Sequence, residues 1–220
     1  NVNAFGKDLG MEDGFTKLLI KVAETGIERI RFYSASPRDY SETTIQAMLD
    51  YPSIMPSLHL PVQSGSNSVL RRMARGYTIE EYKEVYDRLK QRIPNITFTT
   101  DLIVGFPGET EEEFQETLDL VDYCRFDNAY SFMYSPRSGT PAAIMENQIP
   151  ENIKKERLLR LNEHINHWAR VNNEKYMDTV VEVLCEGTSK KDDTVYSGYS
   201  RENKLVNFKS DYNTTGKIVK

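Results

Sequence analysis

Up to about Tyr134 the chain switches repeatedly between two hydrophobic periods. A helical pattern runs from Phe15 to Thr25 and is ended by Gly26. Glu28 to Ser34 then reads as a strand, with Ile30 and Phe32 apolar. Ser41 caps a helix that continues through Leu49, and Ser57 to Val62 is a strand. Asn67–Ala74 and Thr78–Ile93 read as helices. In the second, Ile79, Tyr82, Val85, Leu89 and Ile93 form one stripe, and Thr78 with Glu81 makes a capping box. A strand at 96–104, a helix at 111–124 and a strand at 128–134 complete the series. Alternation of this kind predicts an α/β fold with a parallel sheet and crossover helices, either open or barrel-like.

After Pro150 the pattern changes. A long helix is predicted from Glu151 to about Met177, with Leu158, Leu161, Ile165, Trp168 and Asn172 on one face. Short strands follow at 180–186, 194–199, 204–208 and 217–219, with turns at Asp192-Asp193 and Glu202-Asn203. They suit a small antiparallel β-barrel that stops at Lys220. The expected division is 1–177 for the α/β body and 178–220 for the β-module.

Three predicted strands end in turns rich in Gly, Pro and Ser. They are Leu58–Ser66, Thr100–Thr110 (with Gly105-Phe106-Pro107-Gly108) and Tyr134–Pro141. In the second turn Thr110 and Glu113 form another capping box. Glycine lets backbone approach a ligand where a side chain would block it, and ligands of parallel sheets sit at carboxyl strand ends. Three such ends predict one shared ligand site. Gln63-Ser64-Gly65-Ser66 offers an amide, hydroxyls and free N–H groups before a helix; a plain cap by Ser66 is the alternative. Arg137 at a strand end suits a carboxylate or phosphate, or a surface ion pair.

Composition narrows the choice little. The 220 residues are 39% hydrophobic and 28% charged, and no apolar run approaches the ~20 residues of a membrane span. A net charge of −5 argues against broad coating of nucleic acid and leaves room for a local basic site. Residues 179–220 hold seven basic and six acidic side chains, so the tail is less acidic than the body. The basic clusters are Arg71, Arg72 and Arg75, then Lys154, Lys155, Arg157 and Arg160; they read as solvated helix faces or RNA backbone contacts. Cys124 and Cys185 lie without disulfide or metal spacing and read as buried small hydrophobes, with a reducing cytoplasm as the expected compartment. His164 and His167 read as surface and His59 as core or lining. The chain begins at Asn1, in what reads as the end of a strand, and is expected to be part of a longer protein.

The runs Asn1–Gly6, Leu58–Ser66, Asp101–Thr110 and Tyr134–Ala143 together resemble the radical S-adenosylmethionine methylthiotransferases, nearest to the branch that modifies isopentenyl-adenosine beside the anticodon of tRNA. The resemblance covers nearly the whole chain. It implies a partial, TIM-like (β/α)6 barrel followed by a TRAM module, both incomplete here. It implies S-adenosylmethionine and two 4Fe-4S clusters as cofactors, a tRNA anticodon stem-loop as partner, and a cytoplasmic monomer. The family's C-x-x-x-C-x-x-C ligands would precede Asn1, so the fragment alone is expected to be inert.

Carried over by position, the resemblance places Asn1 and Asn3 near the methionyl amino group, and Ser34 at the next strand end. Ser36 stands where the family often has His. Gln63 and Ser64 fall near ribose and carboxylate. Asp101 is expected to bind the cofactor, and Ile103 to Gly108, with Gly105 and Pro107, match the strand whose backbone lines the adenine. Arg137, Gly139 and Thr140 fall beside adenine or substrate. Arg71, Arg72, Arg75, Lys190, Lys191, Arg201 and Lys204 are the expected RNA contacts. Three other readings stay open: a sister branch acting on threonylcarbamoyl-adenosine or a ribosomal protein, a phosphate-binding barrel enzyme without iron–sulfur chemistry, and a non-enzymatic RNA-binding module centred on residues 151–220.

Overall fold

The computed structural model describes residues 2–33 and 35–220, and only the backbone of Asp39. Expectations placed on Asn1 and Ser34 lie outside the described residues. The body is built on three parallel strands in the order β1 (Ser57–His59), β2 (Thr97–Val104) and β3 (Asn128–Met133). Leu58 pairs with Phe98, Asp101 with Tyr130 and Ile103 with Phe132. Helices α1 (Gly14–Ala23), α2 (Glu42–Asp50), α3 (Asn67–Arg72), α4 (Ile79–Arg92) and α5 (Glu111–Cys124) connect and cover them, and α6 (Glu151–Glu174) packs along β3 and α5.

Local chemistry sets the helix starts. Ser41 accepts from the Thr44 N–H, and both expected capping boxes form, Thr78 with Glu81 and Thr110 with Glu113. The α4 stripe buries Ile79, Tyr82 and Leu89, and Tyr86 joins it by donating its hydroxyl to the Cys124 carbonyl. On α5, Phe114, Leu118, Val121 and Cys124 face inward against Phe98, Leu102 and Val104 of β2. Leu161 and Ile165 of α6 complete this core, with Trp168 partly buried at its edge.

Two strands are shorter than their hydrophobic pattern suggests. Among the described residues of the segment expected as a strand at 28–34, only Ile30 pairs, with Ile54. Its partner stretch holds Pro52 and Pro56, which have no N–H to extend a ladder. Arg29 is drawn away to donate to the carbonyls of Tyr199 and Glu182. β1 stops at His59 because Pro61 interrupts it, yet alignment with β2 persists: Leu60 N–H bonds Thr99 O at 2.8 Å and Gln63 N–H bonds Asp101 O at 2.8 Å.

The C-terminal module is a four-stranded antiparallel sheet in the order β6 (Leu205–Phe208), β5 (Asp192–Ser200), β4 (Val183–Ser189) and β7 (Ile218–Val219). It is an open sheet rather than the expected closed barrel, since among the described residues β6 and β7 each pair on one side only. Asp192 and Asp193, expected in a turn, begin β5, and the turn moves back to Lys190-Lys191. The Arg201–Lys204 turn docks on the body: Thr97 Oγ1 donates to Glu202 O at 2.7 Å and Lys204 pairs with Asp127 at 2.7 Å.

Candidate functional site

The two faces of the parallel sheet differ. Phe98, Leu102 and Val104 of β2 are buried in the core shared with α4 and α5, the Phe98 ring centroid 4.6 Å from that of Tyr86, whereas Thr99, Asp101 and Ile103 are only half-buried. Register aligns Tyr130 and Phe132 on the same face, each 53% exposed. His59 stands among them, its ring centroid 6.0 Å from those of both Tyr33 and Tyr130. Its Nδ1 meets Thr99 Oγ1 at 2.9 Å and its Nε2 meets Asp101 Oδ2 at 3.3 Å. The sheet therefore presents a polar and aromatic layer where a closed core would present aliphatic side chains.

At the carboxyl end of this layer lies a cleft of about 360 Å³, lined in part by Ser36, Arg38, Gln63, Arg75, Tyr77 and Asp101. Gln63 is its most unusual residue. Its φ is +73°, in the left-handed region that a non-glycine residue adopts at a cost of ~1–3 kcal/mol. It is 8% exposed, and its side-chain amide has no hydrogen-bond partner among the described residues. The backbone conformation is held by the bonds of Gln63 N–H to Asp101 O and of Ile103 N–H to Gln63 O. Tyr77 closes one wall by donating to Val62 O at 3.0 Å, and burial pushes its phenol up to about 12, so it stays a neutral donor.

Asn3, expected to touch a ligand, instead ties the first segment to the next strand end. Its side chain accepts from Ser36 N–H and donates to Ser36 O, both at 2.8 Å. Ser64 is fully buried and its hydroxyl meets Thr117 Oγ1 at 3.2 Å, so it packs the turn and presents no ligand surface. Gly65 is needed for the same packing: a Cβ there would stand 2.3 Å from Glu116 O. The expectation that this turn forms an anion cradle is thus corrected: Gly65 N–H is spent on Thr117 Oγ1 of α5 and Ser66 N–H on Ser64 Oγ.

The Gly105–Glu109 turn is likewise built from behind. Gly105 and Gly108 have φ of +71° and +76°. A Cβ on Gly105 would meet Lys154 Cγ at 2.4 Å, so the close neighbour that requires glycine is a side chain of α6. Lys154 Nζ donates to Tyr134 O at 3.0 Å. The buried Glu109 carboxylate accepts from Gly105 N–H at 2.7 Å and from Arg157 at 2.9 Å. Burial leaves the Glu109 carboxyl above its ordinary value, and these two donors offset part of that rise. Pro107 is buried within the turn, and Ile103 and Gly108 are half-buried. Arg137, Gly139 and Thr140 lie exposed in a turn where Thr140 bonds the Arg137 carbonyl through N–H and Oγ1.

The basic residues expected to meet RNA separate into two groups. Arg72 forms a forked pair with Glu113 at 2.6 and 3.0 Å, and Lys204 and Arg201 are engaged between module and body, Arg201 donating to Pro52 O. Arg71, Arg75, Lys190 and Lys191 are exposed. Lys154 and Arg157 are buried structural cations, not a solvated face. His164 meets Asp122 at 2.9 Å, and the same carboxylate accepts from Trp168 at 2.7 Å. Sequence reasoning missed Tyr33, Tyr130 and Phe132 as parts of a site. Large aromatics alternating with Ala129, Ser131 and Met133 were the available signal, and it was indistinguishable from a buried strand.

A three-stranded parallel sheet with helices against it and a cleft at its carboxyl end defines an α/β body of the kind that binds ligands at its strand ends. Residues 2–121 match the Radical SAM superfamily, and the chain belongs to that superfamily. It is 48% identical over 220 residues to tRNA-2-methylthio-N(6)-dimethylallyladenosine synthase of Staphylococcus haemolyticus (strain JCSC1435), covering 100% of this chain and 43% of that protein. Identity to the protein of the same name from Acetivibrio thermocellus is 50% over 220 residues, covering 100% of this chain and 46% of that protein. The chain thus spans less than half the length of these relatives. Among solved structures, coproporphyrinogen III oxidase (HemN) from Escherichia coli, a radical SAM enzyme, superposes with a TM-score of 0.56 at 15% identity, over 90% of this chain and 56% of that one; this likeness speaks for the fold. No helix among the described residues is long and apolar enough to cross a membrane.

Membership of the superfamily implies S-adenosylmethionine and a 4Fe-4S cluster. The cleft fits the first: Gln63 supplies a free amide and Asp101 a carboxylate, complementary to a ligand with hydroxyl, ammonium and carboxylate groups. The cysteines present do not fit the second. A cluster needs several thiolates, and both Cys124 and Cys185 are free and buried; burial pushes the Cys124 thiol far up.

Proposed function

We propose that these residues are the cofactor- and substrate-holding part of a radical SAM tRNA methylthiotransferase that acts on isopentenyl-adenosine beside the anticodon. The observation that carries this reading is identity of 48% and 50% along all 220 residues with two proteins named for that product. In this reading S-adenosylmethionine, when bound, supplies the radical chemistry. The chain positions it: Gln63 and Asp101 contact its polar end, and the Ile103–Gly108 backbone, held by Glu109, Lys154 and Arg157, supports the adenine. Arg137, Gly139 and Thr140 face the adenine or the substrate. Cluster thiolates, for two 4Fe-4S clusters, come from polypeptide outside these residues, and the 220-residue chain alone is inert. Residues 178–220 serve as a TRAM-like module that helps hold the anticodon stem-loop of tRNA, with Lys190 and Lys191 exposed at its β4–β5 turn. The complete protein works as a cytoplasmic monomer.

The test uses the complete protein containing these residues, reconstituted anaerobically with iron and sulfide. It is mixed with S-adenosylmethionine, reductant and isopentenylated tRNA, and nucleosides are analysed by mass spectrometry. A methylthio-isopentenyl-adenosine product supports the reading. Cofactor cleavage without that product would move the substrate to threonylcarbamoyl-adenosine or a ribosomal protein. The absence of both products, with clusters loaded, would sink it.

A further inference from the structure

We infer that Arg38 and Arg75 form a two-arginine clamp for one RNA phosphodiester at the mouth of the strand-end cleft. The inference rests on the RNA substrate proposed above and adds to it a specific anchoring point.

Two separate loops bring these side chains to one cleft. Arg38 lies in the 3-10 turn Pro37–Asp39, where Ser36 Oγ accepts its N–H at 3.3 Å. Arg75 follows α3, in a turn fixed by its N–H bond to Leu70 O at 2.9 Å and by the left-handed Ala74. The next residue, Gly76, touches Arg38 closely: a Cβ there would stand 2.4 Å from Arg38 Nη1. Both arginines line the cleft and both are exposed. Neither guanidinium has a hydrogen bond or ion pair among the described residues. Elsewhere on this body Arg72, Arg88, Arg92, Arg157 and Arg160 all meet carboxylates. In a chain of net charge −5, two neighbouring guanidinium groups without an ion pair among the described residues are an arrangement that an anionic ligand would complete, even with Asp101 on the cleft floor and Glu81 and Glu84 beside Arg38.

An independent observation marks the cleft as a ligand site. Gln63 lies on its floor, more than nine-tenths buried, in a left-handed conformation, with an amide that bonds nothing among the described residues. Asp101, the carboxylate lining the cleft, is engaged with His59 at 3.3 Å. The floor therefore holds a neutral amide and a paired carboxylate, while the mouth holds the unpaired positive charge. A nucleotide that reacts with a cofactor on that floor must come within contact distance of it, and its backbone must cross the mouth. Forked guanidinium groups match the oxygens of a phosphodiester.

The test uses the complete protein containing these residues, reconstituted anaerobically with iron and sulfide, its Arg38→Gln/Arg75→Gln double variant and its Arg38→Lys/Arg75→Lys variant. The probe is an anticodon stem-loop hairpin RNA, with Kd read by fluorescence anisotropy across a potassium chloride series. Binding of S-adenosylmethionine is measured in parallel by equilibrium dialysis, and far-UV circular dichroism confirms that each variant is folded. The Gln variant is expected to weaken RNA binding on the order of tenfold at low salt, and to reduce the log–log salt slope by about 0.7–0.9, as for one phosphate. The Lys variant keeps most of the slope, because charge is retained, but loses affinity with the fork geometry. Cofactor binding stays unchanged. Unchanged RNA affinity and slope in the Gln variant would overturn the clamp. So would lost cofactor binding with intact RNA binding, which would assign the pair to the cofactor carboxylate. If the unmodified complete protein binds no RNA, the functional reading falls with the clamp; if it binds and the variant matches it, only the clamp falls.

Discussion

Replacing Arg157 with Met removes the cation that holds the Gly105–Glu109 turn from behind. Glu109 then keeps one donor, Gly105 N–H at 2.7 Å, while its other oxygen is already buried without a partner. Breaking a buried pair by removing one member costs about 3–5 kcal/mol. Protonation of Glu109 limits the cost. From the ordinary carboxyl value of 4.5, neutralising it at pH 7 costs about 3 kcal/mol. The lost bonds from Arg157 to Glu109 Oε2 and O add to that. The sign is definite: the folded carboxyl of the variant lies above the unfolded one, so stability is present at low pH and lost as pH rises from 4.5 through the folded value. The parent carboxyl is itself raised above 4.5, so the deficit relative to the parent chain should shrink by about 1.4 kcal/mol for each pH unit lowered between the variant's folded value and the parent's. Glu109→Gln should cost less, because Arg157 retains Glu111 at 3.5 Å. The double change should recover stability relative to Arg157→Met alone. Urea unfolding followed by Trp168 fluorescence, the single tryptophan, reads all four chains. A deficit independent of pH, or a double variant no better than Arg157→Met, would refute the assignment of Glu109 as a buried anion compensated by Arg157.

Three further outcomes follow from the same geometry. Gly65→Ala places a Cβ 2.3 Å from Glu116 O and 2.5 Å from Thr117 Cα, both on the α5 backbone, and should destabilise by about 1–3 kcal/mol or more in urea unfolding, with a turn that no longer seats on α5. The Arg72 hydrogen bonds hold the Glu113 carboxyl down at about 2, so its contribution is present above 4.5 and is lost as pH falls toward 2. Screening reduces that contribution to about 1–2 kcal/mol, and Glu113→Gln should flatten the acid limb of stability against pH by this amount. Cys124 and Cys185 should resist a thiol reagent in the native chain and both react in urea; fast native labelling of either would contradict their burial.

Much of the body was legible along the chain because its signals are local. Capping boxes at Thr78 and Thr110 involve residues three apart, and helical periodicity places Leu89 or Phe114 inward whatever lies across from them. The long α6 and the change to short strands after it were also visible for that reason, as were the motifs that carry the family resemblance. Strand extents were less legible, since pairing depends on a partner: Pro52 and Pro56 cut short a segment whose own residues suit a strand.

The uses of the polar residues belonged to the tertiary structure. Glycines and serines at strand ends announce close backbone approach, but the sequence does not say what approaches. For Gly65 it is the α5 backbone and for Gly105 it is Lys154. Arg72, Arg75 and Lys204 look alike as exposed cations along the chain; folding sets Glu113 against the first and Asp127 against the last, and leaves the second beside Arg38 at a cleft. Composition and period thus determined the fold class and the strand ends that carry the site. Which side chains remain free to meet a ligand was decided by contacts between residues distant in sequence, because a charge or hydroxyl satisfied inside the protein is no longer available outside it.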